Sequence, residues 1–198
     1  MDNPLTLASI PGKLDRYFHM KIEAVAVFCG SKPGLHPIYA QHAAELGKFI
    51  AILGYKLVYG GGNRGLMGTV ANAVLMNDGK VMGVMPKILV DWEQQHESLS
   101  ELAIVPDMHS RKKMMYDLCD AAIILPGGFG TLDELFEMVT WNQLKIHDKK
   151  IYILNSNGFY KHLLGHLKQM EKDGFLYEGV AERIIVCDTP VELFNKIG

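Results

Sequence analysis

The chain has few cysteines, and none of them is paired in sequence. Cys29, Cys119 and Cys187 are the three cysteines among 198 residues, and none belongs to a CxxC pair. An odd number of widely separated cysteines argues against a disulfide framework and is typical of a reduced, cytoplasmic protein. No apolar run is long enough to cross a bilayer, and the N-terminus lacks a cationic start followed by an apolar stretch. We therefore expect neither a membrane anchor nor a secretory signal.

An excess of positive charge is also lacking. Lysine and arginine number 20 and aspartate and glutamate number 22, which gives a formal net charge of −2. Such a balance offers little counterion release, so we expect no nucleic-acid partner. A zinc pair is not indicated either, because His162 and His166 lie four residues apart on a predicted helix without an evident third ligand. We expect neither a metal nor a cofactor.

Short apolar or β-branched runs alternate along the chain with longer segments of helical periodicity. This alternation predicts an α/β fold, a doubly wound parallel sheet covered by helices on both faces. The length predicts a single domain, residues 21–198, preceded by an extension at residues 1–20. The predicted strands are 22–29, 55–59, 80–85, 101–105, 121–125, 150–154 and 183–187. The predicted helices are 36–53, 66–77, 109–119, 131–145, 158–172 and 189–196.

Two glycine-rich turns stand where a predicted strand runs into a predicted helix. The first is 60–65 (GGGNRG) and the second is 126–131 (PGGFGT). Such turns bring backbone amides and a helix N-terminus to an anion, usually a phosphate. Their presence together in one domain indicates a ligand of nucleotide size.

The first turn has the glycine spacing of a dinucleotide fingerprint, at Gly60, Gly62 and Gly65. A dinucleotide enzyme also needs an acidic residue at the end of the next strand to hold the ribose, but that strand ends at Pro86-Lys87. We therefore favour a mononucleotide phosphate over NAD. The alternative is structural, with glycines that serve only a tight turn and close helix packing.

The second turn continues into Thr131-Leu132-Asp133-Glu134, which places the Glu134 carboxylate one turn into the predicted helix. One interpretation is a capping box, in which Thr131 and Glu134 satisfy backbone groups and stabilise the helix by about 1 kcal/mol. The other is catalysis, because the glycine turn places the Glu134 side chain at the binding edge of the sheet. The two roles are compatible.

Arg111 and Lys112 lie near the predicted start of another helix, just after Asp107. Cations in a first helical turn oppose the helix dipole at a cost of about 0.3–1 kcal/mol each, unless an anionic ligand lies nearby. The forked guanidinium of Arg111 suits a phosphate, whereas a solvated basic face suits Lys113 better. Asp107 is expected to cap this helix.

Three motifs together resemble those of the Lonely Guy (LOG) family of cytokinin riboside 5′-monophosphate phosphoribohydrolases. They are 60–68 (GGGNRGLMG), 107–112 (DMHSRK) and 126–134 (PGGFGTLDE), and the similarity runs from about Val25 to the C-terminus. The resemblance implies a Rossmann-like homodimer that cleaves a nucleoside 5′-monophosphate to free base and ribose 5-phosphate. The identity of the base is left open. Met138 and Trp141, on the Glu134 side of their helix, are expected at the subunit contact.

The resemblance also implies the site residues. Arg111 and Glu134 match the catalytic pair of the family. The residues that match its substrate contacts, or lie in the adjoining glycine turns and loops, are Ser31, Gly61, Gly62, Glu93, Lys112, Gly128, Phe129, Gly130, Thr131, Leu132, Asp133 and Thr140. Asp133 stands where many relatives have Glu, and Lys32 stands where a second Ser often follows Ser31.

Two other functions are weighed against this one. Similar sequences are often labelled lysine decarboxylases, but the chain is short for a pyridoxal-phosphate enzyme and no lysine lies in a convincing Schiff-base setting. A non-catalytic nucleotide-binding or carrier module would use the same two turns and is the main alternative. It predicts that the nucleotide is bound without being consumed.

Overall fold

A computed structural model describes residues 22–90 and 95–197. The extension predicted at 1–20 and the predicted site residue Glu93 lie outside the described residues. The described strands are β1 Ala24–Phe28, β2 Lys56–Tyr59, β3 Val81–Pro86, β4 Glu101–Val105, β5 Ala121–Ile124, β6 Lys150–Leu154 and β7 Ile184–Cys187. All of them pair in parallel, in the order β4-β3-β2-β1-β5-β6-β7.

Helices connect the strands along the chain. They are α1 Ile38–Ile52, α2 Gly65–Leu75, α3 Lys87–Val90, α4 Met108–Leu118, α5 Phe129–Gln143, α6 Lys161–Lys172, α7 Val180–Arg183 and α8 Pro190–Ile197, with a 3-10 turn at Ser156–Gly158. The α/β, doubly wound parallel fold and every predicted strand are confirmed. The short α3 and α7 were not predicted, because helices of 4 residues are too brief to show a 3.6-residue period.

The core lies on both faces of the sheet, as expected for strands that are apolar throughout. Val25 and Val27 of β1 belong to the core that contains residues of α1 and α2, while Ala26 and Phe28 belong to the opposite core with α4 and α5. Met138 of α5 is fully buried in the second core. Its expected place at a subunit contact is therefore wrong, because this side of α5 faces the sheet.

The sheet has a topological switch point at β1. The chain proceeds from β1 through β2 and β3 to β4 on one side, and β5, β6 and β7 lie on the other. In such sheets the crevice beyond the carboxyl ends of the strands at the switch point is the usual ligand site. Here the loops after β1 and β5 meet, since the Gly30 amide donates to the Pro126 carbonyl at 3.0 Å. Among the described residues, no helix is both long and apolar enough to cross a membrane.

Candidate active site

A buried ion pair joins α4 to α5 beyond the carboxyl ends of the strands. The Nη1 atom of Arg111 lies 3.4 Å from Oε1 of Glu134, and each side chain is only 9% exposed. Arg111 lies in the first turn of α4, where the Asp107 carboxylate caps the helix by accepting a hydrogen bond from the Ser110 amide at 2.7 Å. The predicted cap is confirmed, and the structure brings together the two residues predicted to form the catalytic pair.

The surroundings of this pair hold the Arg111 guanidinium in place and keep the nearby Cys29 thiol neutral. The Nε atom of Arg111 donates to the Val84 carbonyl of β3 at 3.2 Å, so the guanidinium is anchored to the sheet. Cys29, which follows β1, is buried. Burial and the Glu134 charge raise the pKa of the Cys29 thiol, against the opposing effect of Arg111. Cys29 is therefore a neutral, buried side chain close to the ion pair.

Lys112 is held by two carboxylates of α5. Its ammonium nitrogen lies 2.9 Å from Oε2 of Glu137 and 3.0 Å from Oδ2 of Asp133. Burial disfavours the charged ammonium, but the hydrogen bonds and charges of Glu137 and Asp133 outweigh this effect and raise the pKa of Lys112. Lys112 thus fastens α4 to α5 beside the Arg111–Glu134 pair. Its predicted contact with substrate, like that of Asp133, stays a prediction.

Helix α5 begins earlier than the sequence predicted. Its first residue is Phe129 and its N-cap is Gly128, which makes no side-chain capping bond. Thr131 lies inside the first turn and is buried, so the predicted capping box is wrong. The glycines allow the helix to start directly after the turn, so the cap falls at Gly128. The Glu134 carboxylate is left to pair with Arg111.

The N-terminus of α5 is open. The first hydrogen bond of the helix runs from the Leu132 amide to the Gly128 carbonyl at 3.2 Å. The amides of Phe129, Gly130 and Thr131 therefore precede the hydrogen-bond ladder of the helix, at its positive end. A Cβ placed on Gly128 or Gly130 would meet nothing within 4 Å. This part of the site has both the donors and the free space that a phosphate needs.

A cavity of about 350 Å³ adjoins this helix end at the switch point. It lies between the loop after β1, which contributes Ser31 and Lys32, and the turn after β5, which contributes Gly127 and Gly128. Aromatic side chains of Tyr39 and Phe159 complete its wall. Ser31, a predicted substrate contact, is thus placed across the crevice from the second glycine turn.

The first glycine turn is engaged within the chain. The Leu66 amide at the start of α2 donates to the Gly30 carbonyl at 3.0 Å. The carbonyl of Gly61 and the backbone of Gly62 pair with the segment that begins at residue 95. These contacts support the structural interpretation of the turn. Contact between Gly61 or Gly62 and a substrate stays a prediction.

His96 is a buried residue that sequence reasoning missed. Its amide donates to the Gly61 carbonyl at 3.1 Å, and its Nδ1 accepts a hydrogen bond from the Ser98 amide at 3.2 Å. The proton of a neutral ring then lies on Nε2, which is 3.0 Å from Oδ1 of Asn72. Burial lowers the pKa of His96, against the opposing charge of Glu97. His96 holds the segment that begins at residue 95 against the first glycine turn, a role that no local sequence pattern indicates.

Other predicted site residues have varied positions. Phe129 is 94% exposed beside the open helix end, and Leu132 packs partly against the core. Thr140 is exposed on α5, where its hydroxyl donates to the Phe136 carbonyl of the same helix at 2.7 Å. The predicted contact of Thr140 with substrate stays a prediction. In the described part of the chain, no cluster of His, Cys, Asp and Glu is arranged to hold a metal.

Comparisons with known proteins find a family profile and named relatives that match most of the chain. A family profile described as "Possible lysine decarboxylase" matches residues 67–197. The cytokinin riboside 5′-monophosphate phosphoribohydrolase of Rhodococcoides fascians is 45% identical over 166 residues, which are 83% of this chain and 84% of that protein. A rice protein (Oryza sativa subsp. japonica) named as a probable enzyme of the same kind is 44% identical over 177 residues, 89% of this chain and 72% of that protein.

Solved structures share the fold at lower sequence identity. The molybdenum cofactor binding protein of Rippkaea orientalis has a TM-score of 0.67 and 20% identity, and the match covers 90% of this chain and 96% of that one. The molybdenum cofactor carrier protein of Chlamydomonas reinhardtii has a TM-score of 0.69 and 16% identity, with coverage of 89% and 96%. Similarity at this level describes the Rossmann-like fold alone.

Proposed function

This chain belongs to the Lonely Guy family of cytokinin riboside 5′-monophosphate phosphoribohydrolases, and we propose that it hydrolyses the N-glycosidic bond of a nucleoside 5′-monophosphate. The proposed substrates are a cytokinin riboside 5′-monophosphate and AMP, and the products are free base and ribose 5-phosphate. The observation that carries this proposal is the buried Arg111–Glu134 pair close to the open N-terminus of α5.

Glu134 is the proposed catalytic carboxylate. Cleavage of an N-glycosidic bond passes through a cationic, oxocarbenium-like sugar, which a fixed carboxylate stabilises. Glu134 is held in place by Arg111 and is shielded from most solvent, so its charge acts in a medium of low polarity. It also orients or deprotonates the water that adds to C1′. The departing nitrogen of the base takes up a proton as the bond breaks.

The amides of Phe129, Gly130 and Thr131 are the proposed phosphate site. They precede the hydrogen-bond ladder of α5, and the space above Gly128 and Gly130 is open. A phosphate bound there contributes binding energy at a distance from the scissile bond and positions the ribose against Glu134. Ser31 across the crevice is a further proposed contact.

Arg111 is the proposed partner of Glu134 in catalysis. Its guanidinium offsets the cost of burying the Glu134 carboxylate, because opposite charges in contact replace lost hydration. Its fork of donors also suits a phosphate oxygen or an acceptor atom of the departing base. Lys112, Glu93 and Thr140 are proposed as substrate contacts from the family resemblance. Gly61, Gly62, Leu132 and Asp133 are proposed as contacts because they lie in or next to the two glycine turns.

Lysine decarboxylation, suggested by the description of the family profile, is not the function proposed. A Schiff-base lysine must present a neutral amine as nucleophile. Lys112, the lysine next to Arg111, is bound by the carboxylates of Asp133 and Glu137, and its pKa is raised. These contacts hold it as an ammonium, which is the wrong protonation state for that chemistry.

We further propose that the protein is a cytoplasmic homodimer. The buried, unpaired thiols of Cys29, Cys119 and Cys187 fit a reducing compartment. Dimerisation is proposed from the family resemblance, and it would cover apolar side chains of α5 and the following turn such as Phe136, Leu144 and Ile146. Residues 1–20 are proposed to be an extension outside the catalytic domain.

A chromatographic assay tests the proposed function. The purified protein is incubated with AMP, isopentenyladenosine 5′-monophosphate and other nucleoside monophosphates, each beside its matching nucleoside. We expect free base from monophosphates and not from nucleosides, because phosphate binding positions the sugar. Nucleotide binding without release of base from any compound would contradict the proposal and favour a carrier or binding module.

A further inference from the structure

The guanidinium of Arg111 has a defined neighbour at each of its nitrogens. Nε donates to the Val84 carbonyl at 3.2 Å, and Nη1 lies 3.4 Å from Oε1 of Glu134. Nη2 lies over Gly60, the first residue of the first glycine turn, at the point that a Gly60 side chain would occupy. The planar guanidinium therefore fits a slot formed by β3, α5 and this turn.

Gly60 provides one wall of that slot because it has no side chain. A Cβ built on Gly60 would lie 2.1 Å from Nη2 and 3.3 Å from Cζ of Arg111, well inside van der Waals contact. The Sδ atom of Met67 would be 3.2 Å away on another side. A methyl group and the Arg111 guanidinium cannot both occupy this position.

Two other glycines of the 60–68 motif, Gly65 and Gly68, are needed for a different reason. Gly65 has a positive φ of 57°, and a Cβ there would meet the Ser31 backbone at 2.4 Å. A Cβ on Gly68 would meet the Asn63 carbonyl oxygen at 2.2 Å. In both cases the obstacle is backbone, so a substitution strains the fold. Gly60 is not among the glycines with positive φ, and its obstacle is the tip of a flexible side chain.

We infer that Gly60 is a positioning residue for Arg111, and that its role in the proposed reaction is to leave space for the guanidinium beside Glu134. This inference rests on the proposed function of Arg111 and Glu134. Alanine at position 60 is compatible with the backbone, but it displaces Nη2 and turns the guanidinium away from Glu134. The glycine is thus required by the catalytic pair and not by the turn.

A double-mutant cycle tests the inference. We expect Gly60→Ala to lower kcat/KM for AMP or the isopentenyl nucleotide by about 10²-fold or more. The loss should fall on kcat and on KM in the same proportion as it does in Arg111→Ala. Because both variants remove the same interaction, Gly60→Ala/Arg111→Ala should match Arg111→Ala to within about twofold. Arg111→Lys lacks the Nη2 atom, so adding Gly60→Ala to Arg111→Lys should also lower kcat/KM little further. An undiminished cost of Gly60→Ala in the Arg111→Ala background would overturn the inference.

A second measurement reads the position of Arg111 without activity. In protein labelled with ¹⁵N-arginine, the Nε–H of Arg111 should exchange slowly with water, and its resonance is assigned by its loss in Arg111→Ala. We expect Gly60→Ala to remove this protection, while Gly165→Ala, where a Cβ meets nothing within 4 Å, keeps it. A wild-type protein that releases no base would refute the proposed function. Retained protection in Gly60→Ala would refute the positioning role, whatever the activity.

Discussion

The Nη1 atom of Arg111 and the Oε1 atom of Glu134 lie 3.4 Å apart in a site where each side chain is 9% exposed. These residues come from the starts of different helices, α4 and α5, which lie on the same face of the sheet. A charge pair shielded to this degree is costly to break from one side, by about 3–5 kcal/mol, because the remaining charge stays buried without the opposite charge that offset its lost hydration. We therefore expect removal of either side chain to weaken the contact between α4 and α5.

The carboxylate of Glu134 can be removed with little change in shape. We expect Glu134→Gln to lower kcat by about 10²–10⁴ while nucleotide binding is retained, because the amide keeps the volume but carries no charge for the sugar cation. Steady-state kinetics and calorimetric titration with AMP measure the two effects. Asp117→Asn, which neutralises an exposed carboxylate of α4, is the matched control and should keep full activity. Near-normal turnover by Glu134→Gln would rule out this carboxylate as the catalytic group.

The open end of α5 predicts where the phosphate binds. Gly128→Ala places a methyl group in space that is free of protein atoms, so we expect a KM raised by about 10-fold for the monophosphate. The loss of stability should not exceed about 1 kcal/mol, the cost of replacing an N-cap glycine by alanine. Gly165→Ala in α6 also meets no protein atom and should leave KM unchanged. Kinetics with one nucleotide and an unfolding curve for each variant test this. An unaltered KM in Gly128→Ala would place the phosphate elsewhere.

Lys112 and Lys113 are neighbours in sequence with different structural roles. Lys112 is 15% exposed and bridges α4 to Asp133 and Glu137 of α5, whereas Lys113 is 57% exposed and pairs with Asp117 of its own helix. We expect Lys112→Met to lower the free energy of unfolding by about 1–2 kcal/mol and Lys113→Met by less than about 0.5 kcal/mol. Urea unfolding measures both. Equal effects would show that the bridge to α5 contributes nothing.

Buried histidines predict a loss of stability in mild acid. Burial lowers the pKa of His96 below its ordinary value of 6.5, so the folded protein resists the proton that the unfolded chain accepts. The contribution of neutral His96 to stability is therefore fully present above pH 6.5. It is lost as the pH falls from there towards the lower native pKa, by up to about 1.4 kcal/mol per pH unit for one proton. His42 and His147 are shifted in the same direction.

Urea unfolding at a series of pH values tests this dependence. As the pH falls below 6.5, we expect the free energy of unfolding of His96→Gln to decrease less steeply than that of the wild type, since one proton-linked group is gone. His162→Gln, a change of an exposed histidine on α6, is the control and should follow the wild-type curve. An identical slope in His96→Gln would show that His96 does not contribute to the pH dependence.

The sequence predicted the fold well because its signals are local. Apolar runs such as 121–125 and 150–154 match β5 and β6 within a residue, since strands buried on both faces leave little choice of side chain. Helix starts were less well predicted. Thr131 resembled a cap, but the glycines before it let α5 begin at Phe129, and tertiary contact with Arg111 fixes the role of Glu134.

The sequence predicted the candidate pair only through motifs, and several contacts around it were out of reach. Val84, Gly60 and Arg111 are far apart in sequence, and no periodicity shows that the Arg111 guanidinium lies between the Val84 carbonyl and Gly60. A methionine can lie in a core or at an interface, and only the packing of α5 shows that Met138 is buried. Partners distant in sequence were therefore the part that required coordinates.

The proposed hydrolysis of the N-glycosidic bond is best tested by following both products of one reaction. Wild-type protein is incubated with isopentenyladenosine 5′-monophosphate, and free base and ribose 5-phosphate are quantified over time by chromatography and mass spectrometry. We expect the two products in equal amounts. In ¹⁸O-labelled water, the label should appear at C1 of the sugar when the product is analysed before that oxygen exchanges with solvent. Nucleotide recovered intact, or base released without ribose 5-phosphate, would contradict the proposed reaction.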